Sequence, residues 1–142
     1  MLSYRHIYHA GNFADVFKHV VLVQLLRALR RKEAPFCVLD THAGIGRYDL
    51  NADEAQKNRE FANGVLRVFD CSDRPEAVED YLALVRAEND DAETFACYPG
   101  SPRLIRALLR DQDRLVLSEL HKTDHLQLKA LFAGDAQVGV HL

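Results

Sequence analysis

Residues 36–46 read Phe36-Cys37-Val38-Leu39-Asp40-Thr41-His42-Ala43-Gly44-Ile45-Gly46. The first four form a short apolar run, which is typical of a buried parallel strand. The run ends in an acid, and two glycines follow it within a turn. Glycine lets the backbone turn tightly and approach a ligand closely. The stretch therefore predicts an α/β sheet that presents its turn to a nucleotide-like ligand, while a simple tight turn is the structural alternative.

Helix and strand signals alternate along the rest of the chain. Asn12 caps a predicted helix that begins at Phe13 and stops at Ala34-Pro35, with apolar residues at helical spacing between them. Helices are also predicted over 51–69, from Pro75 to Asn89, over 101–110 with Ser101 as its cap, and over 123–132. Strands are predicted at 114–119 and 137–142. Alternating helices and strands predict a parallel sheet.

The predicted elements divide the chain into three parts. Residues 1–50 hold the first helix and the glycine turn of the core, 51–97 form a helical insertion, and 98–142 continue the core. Right-handed crossovers place the three strands side by side as one half of a doubly wound sheet. The first strand then has an open edge, so self-association through that edge is expected.

The composition indicates an ordinary globular domain. The chain has 142 residues, of which 48% are hydrophobic and 27% charged, enough for one core. No apolar run is long enough to span a membrane, and the first residues lack a signal-peptide pattern. The three cysteines form no Cys-x-x-Cys pair, which predicts neither a zinc site nor a disulfide framework and favours the reducing cytoplasm. His121 and His125 lack the Glu of a zinc motif, so no metal is expected.

The charge distribution bears on nucleic-acid binding more than the net charge of −3 does. Lys and Arg outnumber Asp and Glu in residues 1–50, and the reverse holds strongly in 51–94. If RNA binds, we expect it to contact the N-terminal part. The basic cluster Arg27, Arg30, Arg31 and Lys32 closes the first helix, where positive charge also complements the helix dipole.

Several side chains could contact a nucleotide-like ligand. Glu119 ends the second predicted sheet strand, where a carboxylate can accept hydrogen bonds from both hydroxyls of a ribose. Lys18 and His19 could bind a ligand carboxylate through charge-assisted hydrogen bonds, although His19 could also pair with Asp15 one turn earlier. Ser101 could serve only as a helix cap.

The first residues form an aromatic and basic string that includes Tyr4. Stacking on an unpaired base together with attraction to phosphate is the usual basis of single-stranded RNA recognition. The alternative is that Tyr4 packs the N-terminal segment onto the domain.

Four segments of the chain resemble one protein family. They are SYRHIYHAGNFADVFKH (residues 3–19), LDTHAGIGRYDL (39–50), YPGSP (98–102) and LSELH (117–121). Their sequence and order resemble the RlmJ family, S-adenosylmethionine-dependent methyltransferases that modify adenine N6 in 23S ribosomal RNA. Members of that family are substantially longer, and their catalytic Asp-Pro-Pro-Tyr motif does not occur in this chain.

The resemblance implies a Rossmann-like methyltransferase fold with a helical insertion, truncated after the third sheet strand. It implies S-adenosylmethionine as cofactor and ribosomal RNA as partner, with Tyr4 contacting the RNA. The expected cofactor contacts are Lys18, His19, His42, Gly44, Gly46, Ser101 and Glu119. Because the catalytic motif is absent, we expect these 142 residues alone to be inactive.

Two other functions fit parts of the pattern. One is a dinucleotide-dependent oxidoreductase, whose turn would carry a third glycine where Tyr48-Asp49 stands. The other is a non-catalytic nucleic-acid-binding module, including a role in the use of external DNA, to which the family has been linked.

Overall fold

The structure is a computed structural model that describes residues 4–90 and 94–142. The helices are α1 (Phe13–Leu29), α2 (Asp53–Asn58), α3 (Val65–Phe69), α4 (Glu76–Ala87), α5 (Ser101–Leu108) and α6 (Lys122–Leu131). The strands are β1 (Cys37–Asp40), β2 (Arg47–Asp49), β3 (Cys97–Pro99), β4 (Arg114–Ser118) and β5 (Val138–His141). Two short 3-10 helices cover His6–Tyr8 and Glu60–Asn63.

The main sheet is parallel and has the order β1-β4-β5. Val38 lies opposite Leu115 in β4, and Leu115 lies opposite Val138 in β5. The central strand is the most buried of the three, since Leu115 and Leu117 are almost fully excluded from solvent. The prediction of an α/β protein with these strands in one parallel sheet is confirmed.

Asp113 fixes the beginning of β4 against the rest of the domain. Its side chain is fully buried, and it accepts hydrogen bonds from the backbone N–H of Phe36 and from the backbone and guanidinium of Arg110. The Arg110 guanidinium lowers the pKa of Asp113 to about 2. The carboxylate therefore ties the start of β4 to the residue before β1 in a buried, ion-paired arrangement.

A second, two-stranded sheet was not expected from the sequence. β2 and β3 pair antiparallel, and the buried residues Tyr48 and Tyr98 lie opposite each other. Just before β2, the carbonyl of Gly46 accepts a hydrogen bond from the N–H of Gly100 at 2.9 Å. Each strand has three residues, too few for a recognisable alternation. The ribbon brings the beginning of α5 to the glycine turn.

The single helix predicted for 51–69 is wrong, because the structure has three short helical pieces there. Arg59 has a left-handed backbone conformation with φ 50°, which ends α2. A Cβ atom on Gly64 would lie 2.0 Å from the carbonyl oxygen of Gly11. The close contact between these two backbones requires a glycine and breaks the helix. The division into a core and an insertion over 51–97 stays a prediction.

Helix α1 buries only part of its apolar surface. Val16, Val23 and Leu26 are buried, and α1 packs on α4 and α5. Phe13 and Phe17 remain 78% and 73% exposed on the other side of the helix. Within residues 4–90 and 94–142, no strand pairs with the outer edge of β1, and Leu39 of that strand is 63% exposed. None of the helices described is long and apolar enough to cross a membrane.

Candidate cofactor-binding site

A cavity of about 540 Å³ lies where β1 and β4 end. Its walls are the turn after β1, the loop after β4, the first residue of α5, one side of α1 and the N-terminal segment. Ligands of open parallel sheets bind outside the carboxyl ends of the strands, in cavities of this general size. The fold therefore has a cavity at the position where the sequence predicts a ligand site.

The glycine turn after β1 contains two positions that require glycine. Gly44 has φ +60°, and a Cβ atom there would lie 2.2 Å from the hydroxyl of Tyr48. Gly46 has φ +78°, and its Cβ would lie 2.8 Å from Leu131 of α6. Gly44 lines the cavity, whereas Gly46 is outside the lining. The two predicted glycines thus have different roles, one beside the cavity and one in packing against α6.

Glu119 connects the glycine turn to the loop that follows β4. One carboxylate oxygen accepts a hydrogen bond from the N–H of Gly44 at 2.9 Å, and the other accepts from the N–H of His121 at 2.7 Å. A carboxylate offers about four lone-pair directions, so each oxygen retains one for a ligand. Glu119 lies beside the turn as the sequence predicts.

Asp40 organises the opposite side of the turn. One of its oxygens accepts a hydrogen bond from the Ser101 hydroxyl at 2.6 Å, and the other accepts from the N–H of His42 at 3.1 Å. Gly100 is the N-cap of α5 and Ser101 is its first helical residue, so the expected capping by Ser101 is wrong. Ser101 and His42 both line the cavity, and the His42 side chain is exposed.

His19 lies in the wall that α1 contributes to the cavity. Its Nδ1 is 2.8 Å from the Tyr98 hydroxyl, which is 2.9 Å from the Tyr81 hydroxyl. Burial lowers the pKa of His19 to about 4 and raises that of Tyr98 well above its usual range. His19 is therefore a neutral imidazole at pH 7. No hydrogen bond joins His19 to Asp15, so the alternative pairing of these two residues is not seen. Binding of a ligand carboxylate by His19 stays a prediction.

The N-terminal segment closes the cavity over α1. The Tyr4 hydroxyl is 2.7 Å from Nδ1 of His6, and Nε2 of His6 is 2.7 Å from Asp15. The Tyr4 ring stacks on His9 at 5.4 Å, yet it remains 62% exposed. Tyr4 is thus both packed onto the domain and open to a ligand.

The structure brings together the cofactor residues proposed from the sequence, except Gly46. The other six line one cavity, and so does Tyr4, which was assigned to RNA. Sequence reasoning missed Asp40, His6 and Asp15 as parts of this site. The acid at the end of β1 was a usable signal for Asp40, because strand ends of a parallel sheet face the ligand. In the described ranges, no group of three or more metal-ligating side chains could hold a metal ion.

A parallel α/β sheet with a cavity at the glycine turn after β1 and an acid directly after β4 has the arrangement in which open α/β sheets hold ligands. The chain belongs to the RlmJ family, since residues 33–142 match the family model described as ribosomal RNA large subunit methyltransferase D, RlmJ. It is 44% identical over 140 residues to the ribosomal RNA large subunit methyltransferase J proteins of Haemophilus influenzae and Escherichia coli. The matches cover 99% of this chain and 50% of each relative.

The chain thus spans about half the length of the curated relatives that it matches. A crystal structure of a Legionella pneumophila protein is also similar, with a TM-score of 0.83 and 38% identity. That match covers 94% of this chain and 48% of the other. The described fold is therefore similar to about half of that longer structure.

Proposed function

We propose that this chain provides the methyl-donor site of an S-adenosylmethionine-dependent methyltransferase that modifies adenine N6 in 23S ribosomal RNA. Family membership and the names of the two curated relatives support the reaction class. The observation that carries the proposal for the donor is the 2.9 Å hydrogen bond from Gly44 to Glu119. Because Glu119 is in contact with the glycine turn, a single ligand can hydrogen-bond to the Glu119 carboxylate through its ribose while its amino-acid tail lies along the turn.

The residues around the cavity fit this donor, which when bound supplies an activated methyl group on a sulfonium. Glu119 keeps lone pairs that can accept hydrogen bonds from ribose hydroxyls. Lys18 is 61% exposed at its side chain and lines the cavity, so it can reach a carboxylate on the tail. Neutral His19 can exchange hydrogen bonds with a ligand without adding charge.

The remaining roles of this chain are positioning and exclusion of water. Asp40 fixes the side chain of Ser101 and the backbone of His42 on one wall. On another wall, the Tyr98 hydroxyl hydrogen-bonds to His19 and is itself hydrogen-bonded to the Tyr81 hydroxyl. Because the methyl group is already activated, orientation and desolvation are the main contributions that a protein makes. We assign Tyr4 to the RNA substrate, since its ring is exposed at the rim. A ribosomal RNA substrate would place the protein in the cytoplasm.

Isothermal titration calorimetry with the 142-residue chain tests the donor site. We expect saturable binding of S-adenosylmethionine and none of NAD. Glu119→Gln should weaken S-adenosylmethionine at least roughly tenfold, because it removes a charged acceptor. Glu88→Gln is the matched control, since Glu88 is a buried, ion-paired glutamate whose partners, Arg47 and Arg103, lie outside the cavity lining. Tighter binding of NAD, or equal affinity of the Glu119 variant, would contradict the proposal.

Transfer of the methyl group is tested separately, with tritiated S-adenosylmethionine and 23S ribosomal RNA. The chain contains no Asp-Pro-Pro-Tyr segment, so we expect donor binding without detectable transfer. Robust methylation by these 142 residues would show that another group carries out the catalytic role.

A non-catalytic nucleic-acid module is the second candidate. Arg30, Arg31 and Lys32 are exposed at the end of α1, which favours contact with phosphates. Fluorescence anisotropy with RNA and DNA oligonucleotides across a salt series tests this candidate. Salt-dependent binding in a chain that does not bind S-adenosylmethionine would favour the module over the methyltransferase.

A further inference from the structure

Asp15 is a buried carboxylate in the wall of the cavity, with one oxygen satisfied and the other not. The residue is 1% exposed. Its Oδ2 accepts hydrogen bonds from the N–H of Gly11 at 2.9 Å and from His6 at 2.7 Å. Its Oδ1 is buried and accepts no hydrogen bond from the described residues. A buried acceptor without a donor is rare in folded proteins and points to a missing partner.

Lys18 forms an ion pair with this oxygen but does not hydrogen-bond to it. Its Nζ lies 3.2 Å from Oδ1 of Asp15, but the pair does not have the geometry of a hydrogen bond. The Lys18 side chain is 61% exposed, and a lysine stem has several rotatable bonds. Rotation of Lys18 would therefore uncover Oδ1 toward the cavity without any change in the backbone.

The other groups beside Asp15 do not supply the missing donor. His6 is already engaged with Oδ2. The buried imidazole of His19 makes its contact with Tyr98 through Nδ1, and no hydrogen bond joins it to Asp15. A ligand with its own ammonium group would satisfy Oδ1, and a ligand carboxylate would then satisfy the displaced Lys18.

We propose that Asp15 and Lys18 together bind the amino-acid tail of the nucleoside ligand, Asp15 Oδ1 accepting from the α-ammonium and Lys18 Nζ donating to the α-carboxylate. This inference rests on the proposed function, because it concerns the tail of the same donor. Ligand binding thus replaces the ion pair between Lys18 and Asp15 with two ion pairs, one from each residue to the zwitterionic tail of the ligand. The exchange adds no net charge to the site, and the two new ion pairs offset part of the desolvation penalty of the ligand's charges.

Titration calorimetry with two ligands tests the role of Asp15. The first is S-adenosylhomocysteine, which carries both groups of the tail, and the second is its deamino analogue, which keeps the carboxylate and lacks the ammonium. We expect the unaltered chain to bind the deamino analogue roughly 10- to 100-fold more weakly, as for the loss of a hydrogen bond between charged groups. Asp15→Asn should weaken S-adenosylhomocysteine by a similar factor and leave the deamino analogue within about threefold.

The control is Asp124→Asn, which alters the other buried carboxylate of the cavity wall. Oδ1 of Asp124 also accepts no hydrogen bond from the described residues, but it lies beside two basic side chains, Arg5 and His121, at 3.6 and 3.3 Å. This variant should change the affinity for the two ligands by one common factor. A melting curve of each variant verifies that it folds.

The outcomes separate this inference from the proposed function. If S-adenosylhomocysteine does not bind the unaltered chain, the donor site itself is refuted. If it binds but no tighter than the deamino analogue, Asp15 does not recognise the ammonium, and this result needs no variant. If Asp15→Asn weakens both ligands equally, the residue only maintains the wall of the cavity. In the last two cases the proposed function stands and this inference fails.

Discussion

Replacement of Gly44 by alanine tests whether the glycine turn is held in place by its neighbour. An L-residue in the left-handed conformation of Gly44 costs about 1–2 kcal/mol. The new Cβ would also lie 2.2 Å from the hydroxyl of Tyr48, which is 3% exposed and cannot turn away into solvent. Overpacking of this kind costs roughly 1–3 kcal/mol more. We therefore expect Gly44→Ala to lower the free energy of unfolding by about 2–5 kcal/mol.

A double-mutant cycle with Tyr48→Phe separates the two contributions. Without the hydroxyl, the nearest ring atom is Cζ at 3.5 Å from the new Cβ, an ordinary contact. In the Tyr48→Phe background, Gly44→Ala should therefore cost only the backbone contribution of about 1–2 kcal/mol. Urea denaturation followed by circular dichroism gives the four free energies. Effects that add within about 0.5 kcal/mol would show that the turn moves away from Tyr48 freely, and would refute the reasoning.

Three further predictions concern stability and association. Asp113→Ala should lower the free energy of unfolding by about 3 kcal/mol, because the N–H groups of Phe36 and Arg110 lose their buried acceptor. The pKa of Asp113 is about 2 against an ordinary value of 3.8, so its contribution is complete above about pH 4 and is lost as pH falls toward 2. Urea denaturation across that range should show a weaker pH dependence in the variant, and an equal dependence would contradict this assignment. In thermal melts, Gly64→Ala should lower the melting temperature by more than Gly134→Ala. A Cβ at residue 64 would lie 2.0 Å from a backbone oxygen, whereas a Cβ at residue 134 would have no atom within 4 Å. Equal decreases in melting temperature would refute the close backbone contact. We propose that the chain associates with itself through β1, so light scattering should give a mass that falls to the monomer in Leu39→Lys; an unchanged mass would exclude that edge.

The position of the site could be predicted because it depends on local patterns and one topological rule. The apolar runs at β1 and β4 indicated neighbouring parallel strands, and carboxyl ends of parallel strands meet at one edge of the sheet. That rule alone brings Glu119 beside the turn that contains Gly44, and the structure has them in hydrogen-bond contact at 2.9 Å.

The contacts inside the site could not be predicted, because they join residues distant in the chain. Tyr98 hydrogen-bonds to His19 only because the pairing of β2 with β3 brings residue 98 into contact with α1. His6 reaches Asp15 through a short 3-10 helix that has no distinctive sequence signal. The local pattern instead allowed a pair between His19 and Asp15, since residues four apart are neighbours on a helix. In the structure the buried side chain of His19 instead contacts the hydroxyl of Tyr98.

The charges around the cavity favour a cationic donor over a dinucleotide. Asp15, Glu119 and Asp124 line the wall, and Lys18 is the one lysine or arginine among the described lining residues. A pyrophosphate would bring two negative charges toward three carboxylates, which is unfavourable at these separations. A ligand with a sulfonium and an ammonium against one carboxylate has the complementary net charge. The same cavity should therefore bind S-adenosylmethionine more tightly than its uncharged thioether product, and an equal affinity for the two would argue against electrostatic selection at this site.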